Sequence, residues 1–291
     1  MQPTVKAAWA SVFSNTFLVT AKLIVGLAIG SVSVISEAIH SGNDLLASFI
    51  ALFAVKTSSK PPDDVHPFGH GKIENISGTI EAILIFIAAM MIIKEAVDKL
   101  THGGEMMTLG WGIAVMGLSA AMNLAVSTYL MKIAKQEGSI ALEADAIHLR
   151  TDVYTSGGVF VGLILIKVTG FTIIDPIAAI LVACMIIKAA YDLTRKAFRP
   201  LMDTALPQKE IAMVKAAVDS FRDSYISYHD LRTRRAGREC HIDFHLVTSP
   251  DMSVQEVHDL CDQMELRINE DIPYCNVLIH VEPQPMDELI I

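Results

Sequence analysis

Apolar residues dominate the first 200 positions of the chain, in six successive stretches separated by short polar segments. These stretches fall at about 7–29, 32–55, 73–97, 108–132, 140–169 and 174–197. A helix needs about 20 predominantly apolar residues to cross the hydrocarbon core of a bilayer, and each stretch reaches that length. The pattern therefore predicts a membrane α-helical bundle of six transmembrane helices, embedded in a lipid bilayer.

The hydrophobic pattern changes beyond residue 206 to that of a small domain outside the bilayer. Residues 207–222 have helical period, and three segments alternate as strands, at 226–234, 239–247 and 276–282. Between the last two, Ser253 followed by Glu256 forms a capping box, which indicates the start of a second helix. The order αββαβ predicts an α+β domain, so that residues 1–206 form the membrane domain and 207–291 a second domain.

Charge is distributed unevenly between these two domains. The last 85 residues hold 16 acidic and 8 basic residues, so that nearly all of the net charge of −9 lies there. An acidic domain argues against nucleic-acid binding and suits a surface that attracts cations, although solubility alone also explains it. The four cysteines lack CxxC spacing and disulfide-scaffold density, which indicates a reducing compartment.

Lysine and arginine mark the predicted cytoplasmic side of the membrane. They concentrate at the N-terminus, between the second and third stretches, between the fourth and fifth, and after the sixth. The positive-inside rule then places both termini, and with them the second domain, in the cytoplasm.

Two pairs of ionisable residues interrupt the apolar stretches. His40 and Asp44 lie in the second stretch, and His148 and Asp152 in the fifth, each four residues apart and so on one helix face. Opposed faces would supply two imidazoles and two carboxylates, a tetrahedral set for a zinc-sized ion that neutralises its charge. Protons replace the metal when it leaves. The alternative is an ordinary interhelical hydrogen-bond cluster, and the two pairs differ in predicted depth by several ångström.

Further candidate ligands lie outside the apolar stretches. Asp63, His66 and His70 form a compact D-x-x-H-x-x-x-H pattern in a loop, for which a polar loop with surface histidines is the alternative. The second domain contains five histidines and a nearby acid, which on residue pattern alone are more typical of surface or packing positions: His229, His241, His245, His258, His280 and Glu282. Glu37, Asn43 and Asp145 are candidates for supporting or gating roles.

The chain resembles the cation diffusion facilitator family from about Ala8 to Pro283. The resemblance rests on the segments SVSVISEAIHSGND, HPFGHGKIE, EADAIHLRTDVYTS, DPIAAILVA, LMDTALP and HDLRTRRAG, in the family's order. It implies a homodimeric exporter, joined through both domains, that exchanges divalent metal for protons and has a ferredoxin-like cytoplasmic domain. It implies a transporter and not an enzyme.

The resemblance also implies roles for individual residues. It assigns a transport site to His40, Asp44, His148 and Asp152. It assigns a loop site to Asp63, His66 and His70. It assigns a regulatory metal site at the dimer contact to His229, His245, His258, His280 and Glu282. It assigns a charge interlock between the two domains to Lys72 and Asp203.

The chain departs from the family pattern at two of these positions. His40 stands where many bacterial relatives have Asp, and Glu282 stands where Asp is common. The connection between the fourth and fifth stretches lacks the His-rich insertion of many eukaryotic members, which favours a prokaryotic plasma membrane.

Two nitrogen and two oxygen ligands favour Zn²⁺ as the transported ion. Mn²⁺ prefers sites richer in oxygen, while Fe²⁺, Co²⁺ and Cd²⁺ remain alternatives for the transported ion.

An intramembrane metalloenzyme is disfavoured because the sequence has no H-E-x-x-H motif and a catalytic zinc keeps an open coordination position. FGHGKI lacks the pattern of a P-loop, which argues against ATP-driven pumping. A membrane metal sensor is a further alternative, although it would gain nothing from burying ligands in the membrane.

Overall fold

Six long α-helices form the N-terminal part of the computed structural model, which describes residues 2–29, 32–102, 111–169, 171 and 173–284. The helices are α1 Pro3–Ile29, α2 Val32–Ser58, α3 Lys72–His102, α4 Trp111–Glu137, α5 Ile140–Thr169 and α6 Ile174–Phe198. The predicted helical bundle is therefore confirmed, with most helices extending a few residues beyond their apolar stretches. The predicted start of the fourth stretch at 108–110 lies outside the described residues.

Four of these helices are long and apolar enough to cross a bilayer, among the residues that the structure describes. The qualifying segments are Pro3–Ala28, Ala38–Ser58, Lys72–Thr101 and Pro176–Met202. The other two helices, α4 and α5, are 27 and 30 residues long. The first half of α5 carries ionisable side chains, which lower its mean hydropathy below that of a uniformly apolar span.

The helices associate most extensively as the pairs α1–α2, α3–α6 and α4–α5. Helix α5 also contacts α2, α3 and α6, so it lies at the centre of the bundle. Small side chains fill many of the contacts, which lets helix backbones approach closely in a membrane. Fully buried alanines at these contacts include Ala8, Ala51, Ala82, Ala89, Ala141, Ala144, Ala146 and Ala197.

A separate compact unit begins at Arg199, eight residues before the boundary predicted from the sequence. Its elements are α7 Gln208–Asp219, β1 Ser227–Ala236, β2 Glu239–Thr248, α8 Val254–Asp271 and β3 Cys275–Pro283. The sheet has the order β1-β2-β3, with β1 antiparallel and β3 parallel to β2. The predicted αββαβ order is therefore confirmed.

The core of this unit lies between the sheet and its two helices. Strand β2 alternates strictly, with Ile242, Phe244 and Leu246 buried and the intervening residues partly exposed. Buried side chains of α7 and α8 pack with them, among them Val214 and Met264. The alternation leaves the polar positions of β2 on the opposite face of the sheet, where they can meet polar residues of β1 and β3.

Two cysteines of the sheet form a disulfide, which differs from the interpretation of the sequence. Cys240 on β2 and Cys275 on β3 are directly paired in the register, with Cα atoms 4.5 Å apart, and their sulfurs are bonded. Cys184 and Cys261 are free thiols. The pairing escapes sequence reasoning because the two cysteines are 35 residues apart and only the parallel register brings them together.

The capping box at the start of α8 is present as predicted. Ser253 Oγ accepts from the Glu256 backbone N–H at 3.3 Å, and the Glu256 carboxylate accepts from the Ser253 N–H at 2.7 Å. This second hydrogen bond holds the pKa of Glu256 below its ordinary value of 4.5, so the box persists until the pH falls below that value.

Replacing this cap should loosen the first turn of α8. We expect Ser253→Ala to cost about 1 kcal/mol of local stability, because one helix N–H loses its acceptor. Hydrogen–deuterium exchange on the full-length protein should then be about fivefold faster in that turn. Gln255→Ala, which changes an exposed residue of the same turn, serves as the control. Equal exchange in both variants would contradict the assigned cap.

Candidate metal centre

Helices α2 and α5 bring the two His–Asp pairs together crosswise. His148 Nε2 lies 3.2 Å from Asp44 Oδ1, and His40 Nε2 lies 3.9 Å from Asp152 Oδ1. One ligand atom each from His40, Asp44 and Asp152 lies within 4.8 Å of the others, which a single metal ion could span. The difference in depth expected from the sequence does not separate the pairs, because each histidine meets the carboxylate of the other helix.

The four side chains differ strongly in their exposure. The side chains of Asp44 and His148 are only 6% and 12% exposed, whereas that of His40 is 57% exposed. Within the described part of the chain, the buried Nδ1 atom of His148 has no hydrogen-bond partner. The site therefore has a buried half at Asp44 and His148 and a more exposed half at His40.

Two asparagines of neighbouring helices support the carboxylate-bearing segments. Asn15 of α1 donates from Nδ2 to the backbone oxygen of Asp44 at 3.4 Å, and Asn123 of α4 donates to Asp152 Oδ2 at 3.4 Å. Sequence analysis missed both residues, although an amide within an apolar stretch was an available signal. Groups that orient ligands from behind in this way tune the affinity of a metal site.

A buried ammonium lies beside the site. Lys22 of α1 is only 5% exposed, and its Nζ donates to Ser41 Oγ at 2.8 Å, one residue from His40. Of the residues with predicted supporting roles, Asn43 is exposed and Asp145 is fully buried. The side chain of Glu37 lies outside the described residues.

The loop between α2 and α3 assembles its three candidate ligands. Asp63 Oδ2 lies 3.3 Å from His70 Nε2, and Asp63 Oδ1 lies 3.2 Å from His66 Nδ1. Gly69 has φ +76°, a left-handed conformation that turns the chain back between the two histidines. The His66 backbone N–H donates to Asp63 at 2.7 Å, and it holds the pKa of that carboxyl below its ordinary value of 3.8.

The sheet of the second unit assembles another cluster, whose candidate ligands come from all three strands. His229, His245 and His280 are neighbours in the registers of β1, β2 and β3. Glu282 lies among them, with carboxylate oxygens 2.9 Å from His245 Nδ1, 3.6 Å from His229 Nε2 and 3.7 Å from His280 Nε2. One possible ligand group, His245, His280 and Glu282, lies on β2 and β3, and it shares His245 with a second group that includes His229 of β1.

The structure adds one residue to this cluster and leaves two others apart from it. Asp230 groups with His229 and His245, at a β-bulge where its φ is 53°. Sequence analysis missed it, although it adjoins a predicted ligand. His258 of α8 is instead 3.7 Å from Asp262, and within one chain it joins none of the clusters found among the described residues. His241 is likewise in none of them.

Asp203, the predicted interlock residue of the second unit, lies 3.6 Å from Arg234 Nη1. Lys72 is the first residue of α3. The interlock between these two residues remains a prediction.

A bundle of apolar helices that holds two histidines and two aspartates in contact is typical of a membrane transporter of cations. The first 200 residues match the cation efflux transmembrane domain over residues 8–202. The rest matches the cytoplasmic domain of cation efflux proteins over residues 206–284. The chain belongs to this cation efflux family, the cation diffusion facilitators, and it is an integral membrane transporter and not an enzyme.

Several transporters are similar to the chain over most of its length. An uncharacterised transporter of Synechocystis sp. is 36% identical over 254 residues, which cover 87% of this chain and 82% of that protein. The cation-efflux pump FieF of Yersinia pestis is 31% identical, over 87% of this chain and 84% of the pump. A solved structure of CzrB, presented as a candidate zinc transporter, is 38% identical over 28% of this chain and 100% of that one, with a TM-score of 0.27.

The loop cluster allows a matched test of its carboxylate. We expect Asp63→Ala to weaken zinc binding at the loop at least tenfold, because one of three close ligand groups is removed. Asp64→Ala should leave the affinity unchanged, since Asp64 lies beside the cluster but not in it. Isothermal titration of the purified protein measures both. An equal loss in the two variants would indicate only a general charge effect.

The amide on α4 allows a second test. Asn123→Ala removes a donor to Asp152 and should lower the metal affinity of the membrane site about 10- to 100-fold. Thr128→Ala, at an exposed position of the same helix, is the control. Unchanged affinity in the asparagine variant would show that Asp152 does not depend on this hydrogen bond.

Proposed function

We propose that this transporter exports zinc in exchange for protons through the site formed by His40, Asp44, His148 and Asp152. The observation that carries the proposal is the crosswise contact between α2 and α5, which joins two imidazoles and two carboxylates inside an apolar bundle. The family is one of cation efflux, which supports outward movement. The identity of the cation and its exchange for protons are the parts proposed here.

Charge balance supports a divalent cargo. Two carboxylates and two neutral imidazoles cancel the charge of one divalent ion, so the loaded site is neutral in a medium where net charge is costly. An empty site can reach neutrality only by taking up protons. Metal binding therefore displaces protons, and protons arriving from the other side displace the metal.

The ligand types support zinc among the divalent ions. Nitrogen and oxygen ligands in equal number are typical of zinc sites, whereas an oxygen-rich set would favour Mn²⁺. Fe²⁺, Co²⁺ and Cd²⁺ are the remaining alternatives for the same site. The similarity to CzrB does not decide among them, because it covers only 28% of this chain.

We further propose that the three-stranded cluster around Glu282 binds metal that regulates the transporter. Its ligands come from the sheet face opposite the hydrophobic core, so that an ion there is accessible to a second copy of the chain. His258 is apart from this cluster within one chain and fits a role as a ligand across a homodimer contact. Loading this cluster would then stabilise the dimer when cytoplasmic metal is abundant.

The proposed location is a prokaryotic plasma membrane with both termini in the cytoplasm. Lysine and arginine at the predicted cytoplasmic ends of the helices support this orientation. Metal would then enter from the side of the loop cluster at Asp63, His66 and His70. The charge interlock of Lys72 with Asp203 would connect the two domains during the transport cycle.

Flux in reconstituted vesicles tests the proposal. Vesicles that are acidic inside and contain a zinc indicator should take up external zinc through the wild-type protein, because inner protons exchange for it. Asp44→Ala should reduce uptake to the level of protein-free vesicles, since the most buried ligand is lost. Asp192→Ala, at an exposed position of α6, should retain uptake.

The other outcomes of this experiment separate the alternatives. Uptake of Mn²⁺ or Fe²⁺ without zinc would refute the choice of cargo but retain the exchange. Zinc uptake that ignores the pH gradient would refute the proton coupling. Binding without flux of any metal would favour a membrane sensor over a transporter.

A further inference from the structure

Two carboxylates are fully buried in the bundle outside the four-ligand site. Glu81 of α3 and Asp145 of α5 are each 0% exposed. Helices α3 and α5 contact each other, and the Glu81 carboxylate interacts electrostatically with Asp145 and, like Asp145, with His148. Because α3 pairs mainly with α6, and α5 with α4, the two carboxylates lie where two helix pairs meet.

In the part of the chain that the structure describes, most carboxylate oxygens of Glu81 and Asp145 lack a hydrogen-bond partner of ordinary geometry. Ser77 donates to Glu81 Oε1 at 3.2 Å. Among the described residues, Glu81 Oε2 and both carboxylate oxygens of Asp145 have no partner of ordinary geometry. The Ser11 hydroxyl of α1, also 0% exposed and without a partner of ordinary geometry, faces Asp145. Buried polar atoms are normally satisfied, so four such oxygens together point to a ligand.

Glu81 and Asp145 are close along their helices to the loop cluster and to the four-ligand site. Asp145 precedes His148 by three residues, or about 4.5 Å along the helix axis. Helix α3 begins two residues after His70 of the loop cluster, and Glu81 follows nine residues into that helix. Counted along the helices, Asp145 therefore lies nearer than His148 to the helix starts that adjoin the loop cluster, and Glu81 lies at about the depth of His148.

The chemistry of the pair suits a partly hydrated divalent cation. Its ligand atoms are oxygen only, which hard divalent ions accept readily, and such ions keep several waters when bound by two carboxylates. Two buried carboxylates would cancel the charge of the ion, as in the four-ligand site. Oxygen ligands without imidazole would hold zinc less tightly than that site, which favours onward transfer.

We propose that Glu81 and Asp145, with Ser11 and Ser77, form a second intramembrane cation site, where the divalent ion pauses between the loop cluster and the four-ligand site. The placement of this site on a transport route rests on the function proposed above. Binding of an ion at the pair does not, and can be measured separately.

Counting bound Mn²⁺ tests the site directly, because an oxygen-only site retains this ion well. Equilibrium dialysis of the full-length protein should show one Mn²⁺ fewer per protomer in the Glu81→Gln/Asp145→Asn variant than in the wild type. Asp44→Ala should retain that ion, which separates this site from the four-ligand site. Glu95→Gln, an exposed glutamate of α3 paired with Lys99, is the matched control.

A thiol at Ser11 gives a second test that leaves both carboxylates in place. Ser11→Cys differs from the native side chain by one atom, and Cd²⁺ bound at the pair should produce a thiolate-to-metal absorption band. In a Cys184→Ser/Cys261→Ser background, which removes the two free thiols, the band should be absent without Ser11→Cys and should disappear from Ser11→Cys when Glu81→Gln is added. A band that survives Glu81→Gln would contradict a shared site.

Infrared spectra would contradict the proposal if they show that Glu81 and Asp145 are protonated and bind no metal. In that case the wild type and the double variant would bind equal numbers of Mn²⁺. The wild type alone would then show the carbonyl stretch of buried protonated acids, unchanged by metal.

Zinc flux tests the transfer role separately. Loss of zinc flux in Glu81→Gln, with metal binding at the four-ligand site retained, would support the transfer role. Loss of flux only in Asp44→Ala would refute that role.

Discussion

Neutralisation of buried charge is the constraint on which this membrane domain depends. Carboxylates and imidazoles inside an apolar bundle are costly unless each meets an opposite charge, a proton or a metal ion. The chain meets this requirement by pairing across helices, so that Asp44 of α2 faces His148 of α5 and His40 faces Asp152. A proton or metal ion bound between these side chains would therefore change the attraction between the same two helices, which would link binding to helix movement.

The surrounding bundle is built so that this movement is possible. Alanines at the helix contacts let the helix backbones approach closely without interlocking large side chains. Helix α5 contacts α2, α3, α4 and α6. Polar support is supplied by single residues on separate helices, Asn15 on α1 and Asn123 on α4. In the proposed transport cycle, each helix could then shift while the ligands it orients stay near the ion.

The three candidate sites of the membrane domain differ in both exposure and ligand chemistry. The loop cluster mixes an exposed carboxylate with imidazoles, the pair at Glu81 and Asp145 offers only buried oxygens, and the last pocket offers both ligand types. On the proposed route an ion would lose its water in stages, because the pair would bind a hydrated ion and the four-ligand site a dehydrated one.

Much of this architecture was predictable from local sequence. Helix length follows from apolar stretches, the ligand pairs follow from i, i+4 spacing, and the start of α8 follows from Ser253 and Glu256. Long-range contacts were not predictable in the same way. The crosswise pairing that removes the expected depth difference, the disulfide between Cys240 and Cys275, and the β-bulge that presents Asp230 all depend on how separate elements are positioned.

The cluster on the three-stranded sheet has a consequence for how the chain matures. His229, His245 and His280 become neighbours only when β2 pairs with β1 and with β3 in the observed registers. A slip of one residue in either pairing would turn a histidine to the opposite face and remove the cluster. An ion bound there would stabilise only the sheet with the correct strand registers. Metal binding would therefore favour correct folding of newly made protein, before it regulates any transport.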